Sequence, residues 1–316
     1  MPRSPDRRDL ILGLSALAAL GAAPAPDRVQ DEAGNGLTFL AVGDWGRRGA
    51  FHQRAVGQAM ETAAVELGSR FVLSVGDNFY PDGVVSVTDP NWALSYEDVY
   101  AGPHLQTPWY VALGNHDYHG EPQAQLDYAR TSPRWRMPSR YYKVDGTHLG
   151  YAGVDMFCID TTPMLAEFTE RQVRHSGLPV DQQNTALQLA WLDRELAAST
   201  APWKLVFGHH TIRSGGSGHG ETPEMVEQVL PILQRHRVQA YICGHDHDLQ
   251  HIARDGLNYI LTGAGSEVRP VSAVTGTTFC AAVSGFTAFR LTPDALEVAF
   301  RDHTGATLHR TVIRRT

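Results

Sequence analysis

Five short segments each join a Gly to residues able to bind a metal ion: Gly43-Asp44-Trp45-Gly46, Gly76-Asp77-Asn78-Phe79-Tyr80, Gly114-Asn115-His116-Asp117, Gly208-His209-His210 and Gly244-His245-Asp246-His247. Two carboxylates, an amide oxygen, a phenol and three imidazoles exceed what one ion holds. They suit two ions that share a bridging carboxylate. Ions paired about 3.5–4 Å apart clamp the attacking and leaving oxygens in phosphatases and nucleases. Tyr80 is the discriminating residue. A free phenol ionises near pH ~10, so a phenolate at neutral pH requires a hard, highly charged ion, and ferric iron is the obvious candidate. Imidazole and amide ligands suit a second, divalent ion.

Each segment follows an apolar, β-branched run: Phe39–Val42, Phe71–Val75, Trp109–Leu113, Leu205–Phe207 and Ala240–Cys243. A strand that runs into a Gly-bearing turn delivers side chains to the C-terminal edge of a sheet, where α/β folds carry their chemistry. Five such deliveries from distant parts of one chain predict a metal site. Neighbouring residues on an extended segment point to opposite faces, so only one of His209 and His210 is expected to reach it.

With these residues in view, the chain resembles the purple acid phosphatases, in particular the small tartrate-resistant kind, within the metallophosphoesterase superfamily. The resemblance runs from Leu37 to about Val271. It includes Phe39 through Gly46, Gly76 through Tyr80, Pro108-Trp109-Tyr110-Val111, Gly114 through Asp117, Arg134-Trp135, Tyr141-Tyr142, Gly244 through Gln250 and Thr262-Gly263-Ala264-Gly265. The resemblance implies that Asp44, Tyr80 and His247 hold Fe(III), that Asn115, His209 and His245 hold a divalent ion (Fe, Zn or Mn), and that Asp77 bridges them. It selects His209, directly after the Gly, over His210. Related phosphodiesterases usually carry Asp-x-His in the first segment, whereas here the position two after Asp44 is Gly46.

Five positive charges on such a pair, less three from Asp44, Asp77 and a Tyr80 phenolate and one from a bound hydroxide, leave the centre about one positive. A phosphomonoester anion is then attracted. Bound water loses its proton at a pKa of about 7 even on zinc, so a metal-bound hydroxide is available as nucleophile in acid. The resemblance implies that His116 and His219 contact phosphate and protonate the leaving group. His219 sits one residue farther from the metal histidine than the family's spacing, in the loop Arg213-Ser214-Gly215-Gly216-Ser217-Gly218-His219-Gly220. That mobile-looking loop makes His219 the expected proton donor, with His116 mainly stabilising charge. Asp246, between two ligands, is expected to orient one of them by a hydrogen bond.

The other ten of the fifteen histidines, His52, His104, His119, His148, His175, His210, His236, His251, His303 and His309, are read as surface or packing residues. Trp45, Phe79, Trp109, Tyr141 and Tyr142 are read as packing. Cys158 and Cys243 lie in apolar runs and are expected to be buried thiols. With only three cysteines a disulfide scaffold is excluded, and Cys280 is expected to be free.

The N-terminus opens with Arg7-Arg8 before an apolar stretch, Leu10 to Ala23, that ends in small residues. A positive region, a short apolar core and small residues describe a signal peptide over residues 1–26, too short for a membrane span, and the paired arginines resemble a twin-arginine export signal. Without residues 1–26 the chain has 24 basic and 32 acidic side chains, a net charge near −8. That balance argues against a nucleic-acid groove, which would show clustered Lys and Arg. Small phosphorylated substrates are the expected partners, with no stable membrane association and a monomeric state.

Residues 37–316 read as one catalytic domain. Helices are expected at Ala50–Leu67, at Thr185–Ala198 with Leu187, Trp191 and Leu192 inward, and at Glu224–His236, bent or shifted by Pro231. Pro163–Gln183 is polar and reads as a surface excursion. Strands are expected at Ala282–Leu291, Leu296–Arg301 and Thr307–Ile313. Strand–helix alternation early and antiparallel strands late predict an α/β fold of two packed mixed sheets with helices outside, which the resemblance specifies as a four-layer α/β/β/α sandwich. The expected function is hydrolysis of phosphate monoesters by an exported acid phosphatase. A phosphodiesterase or nucleotide hydrolase on the same scaffold is the alternative, and a binding protein without chemistry a third.

Overall fold

The computed structural model describes residues 36–170 and 183–315. The proposed signal segment therefore lies outside the described residues, as do His175 and most of the 163–183 excursion. Fourteen strands form two seven-stranded sheets among the described residues. In the first sheet β1 (Leu37–Val42), β2 (Val72–Val75), β3 (Trp109–Ala112) and β4 (Trp135–Arg136) run parallel, and β12 (Gly285–Leu291), β13 (Ala295–Asp302) and β14 (Thr307–Arg314) extend it antiparallel from β1. The second has the order β11 (Thr277–Ala281), β9 (Leu249–Arg254), β10 (Leu257–Thr262), β8 (Ala240–Cys243), β7 (Trp203–Phe207), β6 (Val154–Cys158), β5 (Tyr142–Val144).

The alternation of side chains along each strand explains the layering. All six residues of β1 are buried. Leu37, Phe39 and Ala41 face the second sheet, while Leu40 and Val42 face the helical layer. β8 does the same, with Ala240 and Ile242 inward and Tyr241 and Cys243 outward. Strands buried on both faces read as unbroken apolar runs, which is why these segments were recognisable. The inter-sheet core includes a stack of Phe71, Phe39 and Phe289, with ring centroids 4.9 and 4.6 Å apart. On the outer face of the first sheet lies α1 (Gln53–Leu67), with Val56, Met60 and Ala63 against Trp45, Trp109 and Trp135. α2 (Pro122–Tyr128) and α3 (Ala166–Glu170) are short. α4 (Thr185–Ala198) and α5 (Leu230–Arg235) cover the second sheet. The four layers match the expected fold class.

Several expectations are corrected. Leu187 is exposed, and the inward face of α4 is Gln188, Leu192 and Leu196. Gln188 turns in because its amide bonds the backbone N–H and carbonyl of Asp160. The helix expected over Glu224–His236 is a π-helical turn, Met225–Val229, followed by α5, with Pro231 in the first turn of α5 where its missing N–H costs nothing. The excursion after Thr162 begins inside the protein, since Pro163, Met164 and Leu165 are buried. The strand expected from Ala282 starts at Gly285.

Candidate metal centre

β1, β2 and β3 of the first sheet and β7 and β8 of the second end at one common edge, and the five Gly segments follow them directly. Three of the expected ligands sit in the left-handed backbone region, Asp44 at φ 58°, Asp77 at 50° and His245 at 71°. For non-Gly residues this conformation costs roughly 1–3 kcal/mol and persists where surrounding structure enforces it, most often at functional sites. Gly76, at φ 93°, is required sterically as well, because a Cβ there would lie 2.5 Å from the His209 ring.

The buried Tyr80 hydroxyl lies 2.7 Å from Asp77 Oδ2, 3.0 Å from Asp44 Oδ1 and 3.0 Å from His247 Nε2. The other Asp77 oxygen, Oδ1, is 3.4 Å from His209 Nε2, which is 3.3 Å from His245 Nδ1. Asp77 thus spans two donor clusters, Asp44/Asp77/His247 and His209/His210/His245. His209 donates from Nδ1 to the Val75 carbonyl at 2.9 Å, which leaves Nε2 as the free lone pair. The oxygen of Asn115 and Nδ1 of His247 are buried and have no protein partner.

These spacings fit metal coordination. Ligands about 2.0–2.2 Å from an ion sit roughly 3.0–3.4 Å from each other, and the donor pairs here lie 2.7–3.5 Å apart. Charge gives the same answer. Burial, then the Asp44 and Asp77 carboxylates, push the Tyr80 phenol well above its ordinary value of 10, against the Arg47 guanidinium stacked 3.8 Å over its ring. Burial likewise drives the Asp44 carboxyl well above its usual range. Asp77 goes the other way: its burial is outweighed by His209 and His116, which hold it well below the usual carboxylate range. A multivalent cation would let a Tyr80 phenolate and two carboxylates share so small a dry space.

Six of the seven expected ligands are therefore brought together, and Asn115, with its buried oxygen, directly precedes His116, whose N–H bonds Asp77. His116 and His219 lie beside them. The His116 backbone N–H donates to Asp77 Oδ1 at 2.8 Å, its ring packs on Tyr80, and its Nδ1 bonds the Pro81 carbonyl at 2.5 Å. His219 stacks on His245 with centroids 3.9 Å apart, and its Nε2 is 3.1 Å from Arg269 Nη1. A guanidinium only donates, so that nitrogen of His219 is an acceptor. Burial, together with Arg269, holds the His219 imidazole below its usual range despite the Asp246 carboxylate.

Two expectations change at this edge. Alternation was expected to turn His210 away from His209, yet both rings are buried, and His210 lies 4.9 Å from the His209 ring and 4.3 Å from that of His245. The pair follows the end of β7 at Phe207, so the alternation of an extended strand does not apply. Asp246 touches neither neighbouring imidazole; its carboxylate faces the Gly-rich loop. Sequence reasoning also missed Arg47, Arg269 and the buried carboxylate of Asp117. Asp117 accepts from the backbone N–H groups of Gly114 and Asn78 and so builds the turn that presents Asn115. Its place in Gly-Asn-His-Asp was the available signal.

Residues 37–249 match the model of the calcineurin-like phosphoesterase family. The chain is 42% identical over 242 residues to purple acid phosphatase 7 of Arabidopsis thaliana, covering 75% of this chain and 72% of that one. It is 36% identical over 300 residues to tartrate-resistant acid phosphatase type 5 of Sus scrofa, covering 88% and 87%. Its fold is shared with GAP50, the anchor in the inner membrane complex of Plasmodium, at a TM-score of 0.74 and 24% identity over 89% of each chain. The chain belongs to the calcineurin-like phosphoesterase family and, within it, to the purple acid phosphatases, enzymes whose dinuclear centre contains iron.

Proposed function

We propose that the chain is an exported acid phosphatase that hydrolyses phosphate monoesters at an Fe(III)–M(II) pair. The observation that carries this reading is Asp77, whose two oxygens face two separate donor clusters, one of them completed by a phenol. Asp44, Tyr80 and His247 would hold Fe(III), and Asn115, His209 and His245 the divalent ion. Bound there, the two ions supply an activated water and offset the charge of the phosphoryl group.

The chain's own residues do the rest. Asp77 keeps the two clusters at one fixed separation, and the His116 backbone N–H holds Asp77. The His116 ring, pinned through Nδ1 to the Pro81 carbonyl, offers Nε2 to the substrate. His219, whose Nε2 accepts from Arg269, carries its proton on Nδ1 and remains neutral. This geometry supports exchanging the expected roles: His116, in the cationic form that carries a hydrogen on Nε2 as well as on Nδ1, protonates the leaving group, and His219 with Arg269 stabilises phosphoryl charge. The fold alone does not make an enzyme, since GAP50 is described as an anchor. The filled ligand set argues for chemistry here.

Export is proposed from Arg7-Arg8 and the Leu10–Ala23 stretch. Among the described residues no helix is long and apolar enough to cross a membrane. The deciding experiment is the visible spectrum of purified protein with its metal content and its rates on a mono-ester and the matching bis-ester. A violet protein with two metal ions, active on the mono-ester, is expected, and Tyr80→Phe should lose the colour. A colourless wild type containing iron would defeat the Tyr80 assignment. Activity on the bis-ester alone would make the chain a phosphodiesterase.

A further inference from the structure

Asp246 is buried between two proposed ligands in sequence, and its carboxylate bonds the Gly-rich loop. It accepts from the Ser214 hydroxyl, from the His219 backbone N–H at 2.9 Å through Oδ1, and from the Gly220 backbone N–H at 3.0 Å through Oδ2. Ser214 is held in turn, its oxygen accepting from Gln250 Nε2 and the Gly216 N–H, both at 3.0 Å. Gln250 also accepts from the Gly215 N–H at 2.9 Å. Gly216 has no room for a Cβ, which would fall on the Asp246 carboxylate. The far side of the loop is tied down by the Ser217 N–H to the Pro270 carbonyl and by the Ser272 N–H to the Gly215 carbonyl. A run of four glycines in eight residues thus lies clamped over one anion, and its last ordered side chain, His219, stacks on His245.

We propose that Asp246 is a positioning residue: its carboxylate latches the Arg213–Gly220 loop and sets the His219 ring against His245, so that it acts on phosphate-ester hydrolysis through His219 and not through the metal ions. This rests on the reading that His219 works on the substrate. The latch also accounts for the extra residue in this loop. Backbone N–H groups anchored to a fixed acceptor place His219 by its own main chain, whatever the length of the segment before it.

Asp246→Asn tests the idea. An amide of the same shape keeps one acceptor oxygen and turns an N–H₂ toward a backbone N–H, so at least one latch bond is lost. A charge-assisted hydrogen bond of this kind is strong enough that amide exchange at His219 and Gly220 should accelerate roughly ten- to a hundredfold. Both metal ions and the colour should remain. The hydrolytic rate should fall, and the double variant Asp246→Asn/His219→Ala should be no slower than His219→Ala alone, because the two act as one unit. Ser214→Ala, which removes one of the three donors, should give a smaller step in the same direction. Loss of metal, or rate losses that multiply in the double variant, would overturn the proposal. Unchanged exchange at His219 and Gly220 with a slow His219→Ala would sink the latch alone. A wild-type rate in His219→Ala would instead sink the role assigned to His219, and the catalytic half of this proposal with it.

Discussion

At the scale of single residues, the two histidines beside the centre differ in what their ring nitrogens can do. His116 has one nitrogen committed to a carbonyl and one free, whereas His219 has one nitrogen facing a permanent cation. His116→Ala should therefore lose roughly the 10²–10⁴-fold typical of a missing general acid, and more on alkyl phosphates, whose leaving groups need a proton, than on nitrophenyl phosphate. His219→Ala should slow both substrates by similar factors. The opposite pattern in steady-state rates would restore His219 as the donor. A second residue-scale prediction concerns His210. Its Nδ1 is 2.7 Å from the Thr161 hydroxyl, which also accepts the His210 backbone N–H. With the Thr161 hydroxyl as donor to Nδ1, the ring hydrogen sits on Nε2, which is buried without a partner, and His210 is then not a ligand. His210→Phe should retain two metal ions by elemental analysis; loss of the divalent ion would make His210 a ligand. The donor residues that gather at this edge were legible because metal chemistry admits few residue types and the Gly segments marked their places. His210, Arg47 and Arg269 were not, because what they do depends on which ring or carbonyl lies next to them after folding.

At the scale of elements, the five strands that deliver ligands could be read from their unbroken apolar runs, and the hairpin of β9 and β10 could have been. Its turn is Asp255-Gly256, with φ of 60° and 76°, the type I′ signature of a two-residue hairpin. β5, β6 and β11 are short or mixed in polarity; β5 pairs with the next strand β6, whereas β6 pairs with β7 and β11 with β9 across longer stretches of chain. One element junction has a pH-dependent consequence. Asp160, just beyond β6, accepts from the Tyr118 hydroxyl of the turn after Asn115 and lies 3.9 Å from Arg140. Burial pushes its carboxyl up to about 7, against the Tyr118 bond and the Arg140 charge. A carboxyl raised above its unfolded value near 3.8 supports the fold fully below that pH, and the support is lost as pH rises through about 7. Asp160→Asn cannot ionise, so relative to wild type it should gain stability between about pH 4 and pH 8, on the order of a few kcal/mol. Denaturant unfolding of both proteins at the two pH values measures this, and a difference that does not grow with pH would refute it.

At the scale of the whole molecule, the centre is a joint between the sheets. Asp44, Asp77, Tyr80 and Asn115 follow strands of the first sheet, and His209, His245 and His247 follow strands of the second. Ions held by ligands from both sheets favour the folded state by mass action, about 4 kcal/mol at a thousandfold excess over the dissociation constant. For a domain of this size that is roughly 8–16 °C in melting temperature, at about 2–4 °C per kcal/mol. Chelation should lower the melting temperature by that amount, and restoring the ions should recover it. A control separates this joint from the apolar core that also binds the sheets together. Phe39, stacked between Phe71 and Phe289, is five residues before Asp44 on β1, about 15 Å away at the rise of an extended chain. Phe39→Ala should cost about 3–5 kcal/mol as a core truncation, and at that distance its effect should add to that of chelation. If the ions join the sheets, wild type and Phe39→Ala lose the same increment on chelation, read by calorimetry or circular dichroism. A melting temperature indifferent to chelation in both proteins would mean that the ligands are preorganised by the fold alone and that the ions contribute chemistry but no cohesion.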